Sequence, residues 1–487
     1  MQKFNVDNSY QRLPDSFFKR TTPTPVADPQ WISFNQPLAD QLDLPQQYWA
    51  SDEGLQLFAG NSLPDWSDPV AQGYAGHQFA NFVAQLGDGR AILLAEIIDK
   101  QKRRFDIQLK GAGTTAYSRG GDGRSPIGPV IREYLLSEAM HVLGVPTTRA
   151  LAAVATGETV HRDVPQPGAI LTRVASSHIR IGTFQFIAAH QGTGKVQVLA
   201  DYVINRHYPD CKSAERPYLA MLEAVIQKQA ELVSHWMSLG FIHGVMNTDN
   251  MSISGETIDY GPCAFIDNYH PDALFSSIDR GGRYAYSNQP KVAQWNLARL
   301  AECLVPLIDK DEEKAVELAT EALKTFSQTY EDLWLTRMAA KIGIREPQPE
   351  DRALLNELLD LMADDEVDFT LLFRALCDSL EADHCLDLFK QQSACKTWLQ
   401  KWRQRLSQES ASGEETALQM RLINPAIIPR NHRVQEAILA AEQEGDLRPF
   451  NELKAALAEP FSDNPEYQHL TLAPKPEEKV QRTFCGT

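Results

Sequence analysis

The sequence lacks the features that would place the protein in a membrane or on nucleic acid. No run of about 18 apolar residues occurs in its 487 residues, so no transmembrane helix is predicted. The first twenty residues contain no apolar core of signal-peptide length, and we therefore expect a cytoplasmic protein. The formal net charge of −17 argues against general nucleic-acid binding, which needs a basic surface. A local basic pocket is still compatible with that charge.

Cysteine is scarce, and its spacing carries no metal signature. The seven cysteines form no CxxC pair, so no zinc site is indicated. Most of them lie in helical patterns, where small buried thiols are the usual interpretation, and a reducing compartment fits. With 43% hydrophobic and 23% charged residues, the composition is that of an ordinary soluble globular protein. The sequence shows no internal repeats.

The pattern of the chain changes from strand-like to helical along its length, which predicts an α+β fold with two lobes. A strand meander begins at Asn81 and crosses a glycine turn, and short strands continue to about Phe186. Residues 217–239 form an amphipathic helix, and the chain is nearly all helical after Gln289. We predict four parts: an irregular arm (1–75), a β-rich nucleotide-binding lobe (76–172), a mainly helical lobe with a metal site (173–407), and a helical C-terminal segment with a mobile tail (408–487).

The segment 243–261, HGVMNTDNMSISGETIDYG, is the most informative part of the sequence. Residues 251–253 and 256–258 read as short strands joined by a Ser-Gly turn, which would place Asn250 opposite Asp259 at roughly 5 Å between their Cβ atoms. An amide oxygen and a carboxylate at that separation can share Mg²⁺, and Asp249 beside them can act as a base. The alternative interpretation is an exposed hairpin with polar shoulders.

Two further patterns resemble parts of a phosphate site. Gly87, Gly89 and Arg90 stand in a glycine hairpin whose backbone N–H groups could approach phosphates, although a plain turn explains the same residues. Lys110 ends a strand on its polar face, where it could reach a phosphate if a carboxylate held it. Glu133 and Glu138 on the next helix are both candidate partners, and a solvated lysine is the alternative.

Two more groups are weaker taken alone. Asp122 and Gly123 lie in a glycine-rich loop before a helix, which indicates either an anion site or a flexible linker. Arg173 and Arg180 flank the run VASSHI and could bind phosphate oxygens, or could be ordinary surface arginines.

The order of these groups along the chain is more informative than any one of them. A glycine hairpin, a strand lysine, a helix glutamate, a His-Gly loop with Asn and a hairpin to Asp-Tyr-Gly follow one another as in the protein-kinase fold. Kinases place their base Asp five residues before the metal-binding Asn, and that position here is Val245. Valine cannot accept a proton, whereas Asp249 stands directly beside Asn250. The loop therefore looks repurposed rather than broken.

Longer segments resemble the selenoprotein O family of pseudokinase-like protein adenylyltransferases. The resemblance covers most of residues 65–300 and recurs near 424–458. The matching segments are QLGDGRA, QLKGAGTTAYSRGGDGRSP, REYLLSEAMHVLGVPTTRAL, LTRVASSHIRIGTF, HGVMNTDNMSISGETIDYGP and NPAIIPRNHRVQEAI. These segments are long and specific, so chance similarity is improbable.

The resemblance implies a protein adenylyltransferase that binds ATP inverted relative to kinases and moves AMP onto Ser, Thr or Tyr hydroxyls of proteins, with Mg²⁺ or Mn²⁺. It implies that Asp249 is the base and that Asn250 and Asp259 bind the metal. The nucleotide-binding positions that it implies are Gly87, Gly89, Arg90, Lys110, Asp122, Gly123, Arg173, Arg180 and Asp259. An atypical kinase and a non-catalytic ATP-binding scaffold are the competing functions, and the sequence does not indicate target proteins or oligomeric state.

The resemblance also raises a redox question at the C-terminus. Eukaryotic members carry a selenocysteine near their end, and Cys485 takes a similar place here. Some bacterial members are thought to bridge this cysteine to one near the active site. The run ALFSSIDRGGRY after the metal segment contains no cysteine, so Cys263 is the nearest candidate for a regulatory disulfide with Cys485.

Overall fold

The computed structural model describes residues 4–484 and confirms a mixed α+β architecture. Its strands are β1 (Phe18–Arg20), β2 (Gln30–Phe34), β3 (Val70–Gln72), β4 (Gly76–Gln78), β5 (Asn81–Val83), β6 (Ala91–Ile98), β7 (Arg104–Lys110), β8 (Ser125–Pro126), β9 (Arg149–His161), β10 (Pro165–Ala175), β11 (Phe241–Ile242) and β12 (Ala264–Phe265). Its helices are α1 (Gln36–Gln41), α2 (Asp52–Phe58), α3 (Ile127–Val142), α4 (Ile181–Gln191), α5 (Thr193–His207), α6 (Pro217–Leu239), α7 (Gln289–Ile308), α8 (Glu312–Lys341), α9 (Asp351–Asp365), α10 (Phe369–Leu376), α11 (Gln392–Leu406), α12 (Gly413–Ile423), α13 (Asn431–Glu444), α14 (Arg448–Leu457) and α15 (Gln468–Thr471).

One antiparallel sheet organises the first 175 residues. Its strand order is β1-β3-β6-β7-β10-β9-β2, with β8 paired to β10. The first 75 residues, which we expected to form an irregular arm, supply three of these strands and the helices α1 and α2. The expected run of short strands up to Phe186 is wrong, because two long strands, β9 and β10, are followed by helix α4.

Alternation along the central strands separates two cores. Ile92 and Leu94 on β6 pack with Ile107 and Leu109 on β7 in the core under α1 and α2. Leu93, which points to the opposite face, belongs to the larger core that contains α3 and the helical half. The alternation predicted for β7 is therefore confirmed, since a side chain changes face at every residue of a strand. On the polar face of β7, however, Asp106 and Gln108 are buried, and Lys110 lines the candidate site.

The helical half begins as predicted. Helix α6 spans Pro217–Leu239, buries Val225, Ile226 and Trp236, and ends at Gly240 in the left-handed conformation with φ of +69°. The predicted last helix pair is α13 and α14, and both pack on α3. In the described part of the chain, we find no helix that is both long enough and apolar enough to span a bilayer.

Lys341 ends α8 as a buried amine, 3% exposed, and makes no ion pair with a carboxylate of residues 4–484. Its Nζ lies 4.4 Å from the centre of the Phe373 ring and 5.5 Å from that of Phe369. Burial lowers the pKa of this amine to about 7. A cation over aromatic faces is partly stabilised, but it has lost most of its hydration.

We expect Lys341→Met to change the pH dependence of stability. The unfolded chain binds this proton below about 10.5 and the folded chain only below about 7, so this group makes stability rise with pH between those values. The variant should lose that slope and gain about 2 kcal/mol or more near pH 7, because one pKa unit corresponds to about 1.4 kcal/mol. Urea unfolding of both proteins at pH 7 and pH 9.5 measures this, and parallel changes in the two would refute it.

Candidate active site

A cavity of about 470 Å³ opens where the sheet, α3 and the segment 245–262 meet. Every predicted site residue lines it, including residues that lie more than 170 positions apart in the sequence. The predicted residues that line it are Gly87, Gly89, Arg90, Lys110, Asp122, Gly123, Arg173, Arg180, Asp249, Asn250 and Asp259.

Lys110 is held by α3. Its Nζ lies 2.6 Å from Oε2 of Glu133, a residue that is 3% exposed. Burial would raise the pKa of Glu133, but the charges of Arg173 and Lys110 outweigh it and hold that pKa below its usual value. The other candidate partner, Glu138, instead pairs with Arg149 at 2.7 Å. The lysine is therefore fixed as a cation that faces the cavity.

Asp259 stands among three cations. Its Oδ1 lies 3.2 Å from Lys110 Nζ and 2.6 Å from Arg173 Nη2, and its Oδ2 lies 3.1 Å from Arg180 Nη2. Burial alone would raise the pKa of Asp259, but Arg173, Lys110 and Arg180 hold it well below its usual range. The backbone of Asp259 is left-handed, with φ of +62°, a conformation that is uncommon for a residue with a side chain. Such local strain is typical of functional positions.

The two arginines are buried, so the interpretation of them as surface residues is wrong. Arg173 is 1% exposed and pairs with Glu133 as well as Asp259. Arg180 is 2% exposed, stacks its guanidinium 4.3 Å from the centre of the Tyr74 ring and lies 3.5 Å from Oδ1 of Asp88. Both line the cavity, Arg173 from β10 and Arg180 from the residue before α4.

Asp249 is a buried carboxylate with one oxygen that has no hydrogen-bond partner. Its Oδ2 accepts a long bond of 3.5 Å from Gln78 Nε2, and its Oδ1 accepts none from residues 4–484. Burial raises the pKa of Asp249 to about 6. Gly76 makes room for this side chain, because a Cβ there would lie 2.1 Å from Asp249 Oδ1.

The hairpin of β4 and β5 positions the loop that carries Asp249. The amide of His77 donates to Oγ1 of Thr248 at 2.7 Å, and the amide of Phe79 donates to Oδ1 of Asn247 at 3.0 Å. The hairpin thereby fixes the two residues that precede Asp249. Sequence reasoning missed Gly76 and Gln78, although two glycines among aromatics in GYAGHQF are a signal of close backbone approach.

The predicted hairpin of residues 251–258 is wrong in its pairing. Ser252 bridges to Arg180 and Thr257 bridges to Thr147, so each arm pairs with a neighbouring segment and not with the other arm. Only the turn is confirmed, with Gly255 at a φ of +78°. Each arm is too short to form a stable strand pair with the other, so its backbone groups bond to the neighbouring buried segments instead. Asn250 and Asp259 nevertheless line the same cavity.

The glycine loop also differs from the prediction. Strand β5 pairs with β4 and not with β6, so residues 87–90 form a loop and not a hairpin between paired strands. Gly87 donates to the carbonyl of Tyr74, and a Cβ there would lie 2.3 Å from the Tyr117 ring. Asp88 turns inward and accepts from Gln72 and Gln108. The conformation of this loop is therefore fixed by its contacts with the neighbouring tyrosines and glutamines.

Asp122 and Gly123 form a structured edge of the cavity. Both oxygens of Asp122 accept from Arg162, at 2.8 and 2.9 Å. Gly123 has a φ of +67°, and a Cβ there would overlap the carbonyl of Gly113 at 2.0 Å. The linker interpretation of this loop is therefore not supported.

The oxygen donors at one wall fit a hard divalent cation. Nδ2 of Asn250 donates to the carbonyl of Val245 at 2.9 Å, which leaves its Oδ1 as a donor to a metal, and Asp259 adds a carboxylate. Among residues 4–484 no three His, Cys, Asp or Glu side chains cluster as a metal centre. Mg²⁺ does not need one, because it is commonly bound by one or two protein oxygens together with phosphates and water.

The C-terminal tail approaches the same cavity. Thr483 is 1% exposed and donates through Oγ1 to the carbonyl of Pro262 at 2.6 Å, and Phe484 lines the cavity. The proposed partner of Cys263, Cys485, lies outside the described residues, so the disulfide remains a prediction.

Comparison with known proteins first gives the class. The chain is 53% identical over 487 residues to the protein nucleotidyltransferase YdiU of Rhodopseudomonas palustris (strain BisB18), with 99% of both chains covered. It is 54% identical over 491 residues to that of Rhizobium meliloti (strain 1021), with 100% of both covered. The chain is a nucleotidyltransferase. Residues 1–458 match the family described as protein adenylyltransferase SelO, and the chain belongs to this family, which confirms the resemblance seen in the sequence.

We expect Gly76→Ala to lower AMP transfer by about 100-fold, because the new Cβ would displace Asp249 Oδ1 and a shift of about 1 Å is enough for such a loss. ATP binding should change by less than about twofold, since the substitution touches none of the cations that line the cavity. The matched control is Gly194→Ala, where a Cβ meets nothing within 4 Å. Full activity in Gly76→Ala would show that the position of Asp249 does not matter.

Proposed function

We propose that this protein transfers AMP from ATP to Ser, Thr or Tyr hydroxyls of other proteins, with ATP bound inverted relative to kinases. The observation that carries the proposal is the free Oδ1 of buried Asp249, beside Asn250 in the cavity that Lys110 and Asp259 also line. Val245 occupies the position where a kinase has its base and is 7% exposed. The base has therefore moved relative to the metal ligand, which supports attack at a different phosphorus.

The proposed reaction needs one proton acceptor and a cationic pocket. The substrate hydroxyl oxygen forms a bond to the α-phosphorus of ATP, the bond from that phosphorus to the bridging oxygen breaks, and pyrophosphate leaves. Oδ1 of Asp249 takes the hydroxyl proton. Lys110, Arg173 and Arg180 bind the negative charge of the polyphosphate, and positioning together with charge neutralisation supplies most of the rate.

Mg²⁺ or Mn²⁺ bound by Asn250 and Asp259 would neutralise phosphate charge as a Lewis acid. The protein's part is to present those two oxygens on a fixed wall of the cavity. Asn250 is oriented by its bond to the Val245 carbonyl, and Asp259 is held by its three cations. Since those cations also face the phosphates, we infer that nucleotide and metal replace the ion pairs of Asp259 together.

The arrangement of elements supports a kinase-like division into two lobes. The sheet with α3 contributes Lys110 and Glu133, as the β-rich lobe of a kinase does. The helical half contributes the segment from 247 to 259. We propose that the boundary between the lobes follows the cavity, and that the reaction takes place in the cytoplasm.

ATP labelled at the α- or the γ-phosphate separates the candidate functions. With the full-length enzyme, Mg²⁺ or Mn²⁺ and a bacterial lysate as acceptor, we expect protein label from the α-position alone. Label from the γ-position alone would make the protein a kinase. Label from neither position, in the enzyme or the lysate, would favour a scaffold.

Asp249→Asn is the control variant for that experiment, because it keeps the shape of the side chain and removes the proton acceptor. We expect α-label transfer to fall by about 100-fold or more, within the range for loss of a general base. ATP affinity, measured by calorimetry, should stay within about threefold. Retained transfer would exclude Asp249 as the base.

A further inference from the structure

A third buried arginine faces the cavity besides Arg173 and Arg180. Arg132 on α3 directly precedes Glu133, is 6% exposed and lines the cavity. Arg173 and Arg180 each pair with two carboxylates. Arg132 forms no ion pair with any carboxylate of residues 4–484, and its one hydrogen bond there is a marginal contact of 3.5 Å from Nη1 to the carbonyl of Cys263.

The guanidinium of Arg132 is a buried positive charge without a counter-ion among the described residues. It carries five N–H donors and cannot lose its proton at any ordinary pH, so burial removes its hydration without removing its charge. Natural proteins bury such a charge only with a counter-ion or where a ligand supplies one. Burial lowers the pKa of Arg132, which is the direction expected when no carboxylate compensates for lost water.

The surroundings of Arg132 indicate what supplies the missing charge. Its neighbour in the chain, Glu133, is already engaged by Lys110 and Arg173. Gly261 and Pro262, which precede the Cys263 carbonyl that Arg132 contacts, also line the cavity and offer backbone but no carboxylate. Arg132 itself lines the cavity, which is the space that a ligand can enter. Because no nearby carboxylate is available, an anion bound in the cavity is the counter-ion that Arg132 could gain.

We propose that Arg132 is a further polyphosphate-binding residue of this site, which donates to phosphate oxygens of the nucleotide and of the departing pyrophosphate. This assignment rests on the proposed use of the cavity for ATP. Arg173 and Arg180 are shared with Asp259, whereas Arg132 is uncommitted. It offers its donors to phosphate without first breaking an ion pair, and guanidinium–phosphate contacts are among the stronger hydrogen bonds in proteins.

The test separates phosphate binding from structure. In the full-length Arg132→Met protein, calorimetry with inorganic pyrophosphate and Mg²⁺ should show at least about a tenfold loss of affinity, and adenosine should bind unchanged. Arg132→Lys should recover part of the loss, because it restores a point charge. The melting temperature of ligand-free Arg132→Met should equal or exceed that of the wild type, since a buried unpaired charge is removed.

The matched control is Arg119→Met. Arg119 also lines the cavity, but it is exposed and hydrated, so its loss should change pyrophosphate affinity by less than about threefold. An equal loss of pyrophosphate affinity in the two methionine variants would show that any positive charge near the cavity has the same effect, and it would overturn the proposal.

Other outcomes also overturn the assignment. Unchanged pyrophosphate affinity with a lowered melting temperature would make Arg132 a structural residue that holds the Cys263 carbonyl. Loss of adenosine affinity alone would move its contact to the nucleoside. Because these are binding and stability measurements, they stand even if the protein transfers no AMP, and the failure of the proposed reaction is therefore distinguishable from the failure of this assignment.

Discussion

The site depends on the contact of Asp259 with Lys110, Arg173 and Arg180. Together with Glu133 and Asp88 these residues form a compact set of three cations and three carboxylates, neutral as a whole. Each unlike pair would be costly to bury if one partner were missing. The set joins β7, α3, β10, the start of α4, the loop 87–90 and the segment that carries Asp259, so a single electrostatic cluster fixes the positions of six parts of the chain.

That neutrality also indicates how the proposed polyphosphate ligand would bind. Under the proposed function, a polyphosphate would replace Asp259 as the partner of the three cations, and Asp259 would be left to hold a divalent metal. Each ion pair that the ligand breaks would then be replaced by another, with the metal supplying positive charge beside Asp259. Arg132 alone among the buried cavity arginines lacks a carboxylate partner within the described residues, and we propose that it takes up part of the extra negative charge of the ligand.

A second buried ion set fastens the C-terminal segment to the site. Arg430 lies 2.7 Å from Asp267 and 2.9 Å from Asp368, and Asn431 Nδ2 donates to the carbonyl of Phe265 on β12. The motif NPAIIPRNHRVQEAI therefore supports the strand that follows Asp259 rather than contributing to the chemistry. This motif lies far from the others in the sequence, and its contacts with them could not be predicted from its local pattern.

From the sequence, the residues that line the cavity were predicted better than the strand pairings that bring them together. Lys110, Arg173 and Asp259 could be found because their order along the chain and the segments around them resemble a known family, and α6 could be found because its apolar period is long. The pairing of residues 251–258 and of β5 could not be predicted, because the partner of a short strand depends on which strand edge the tertiary packing leaves open. Gly76 was missed for the same reason: its role depends on Asp249, more than 170 residues away. The division into four domains, the metal and the targets stay predictions.

Asp259→Ala tests the central claim most directly, namely that Asp259 occupies cations which a polyphosphate otherwise binds. The measurement is calorimetric binding of inorganic pyrophosphate without divalent metal, followed by AMP transfer with metal, in the wild type and the variant. The account predicts that the variant binds metal-free pyrophosphate about tenfold more tightly, because three cations are released, yet transfers AMP at least about 100-fold more slowly. Weaker metal-free binding, or AMP transfer at the wild-type rate, would contradict it.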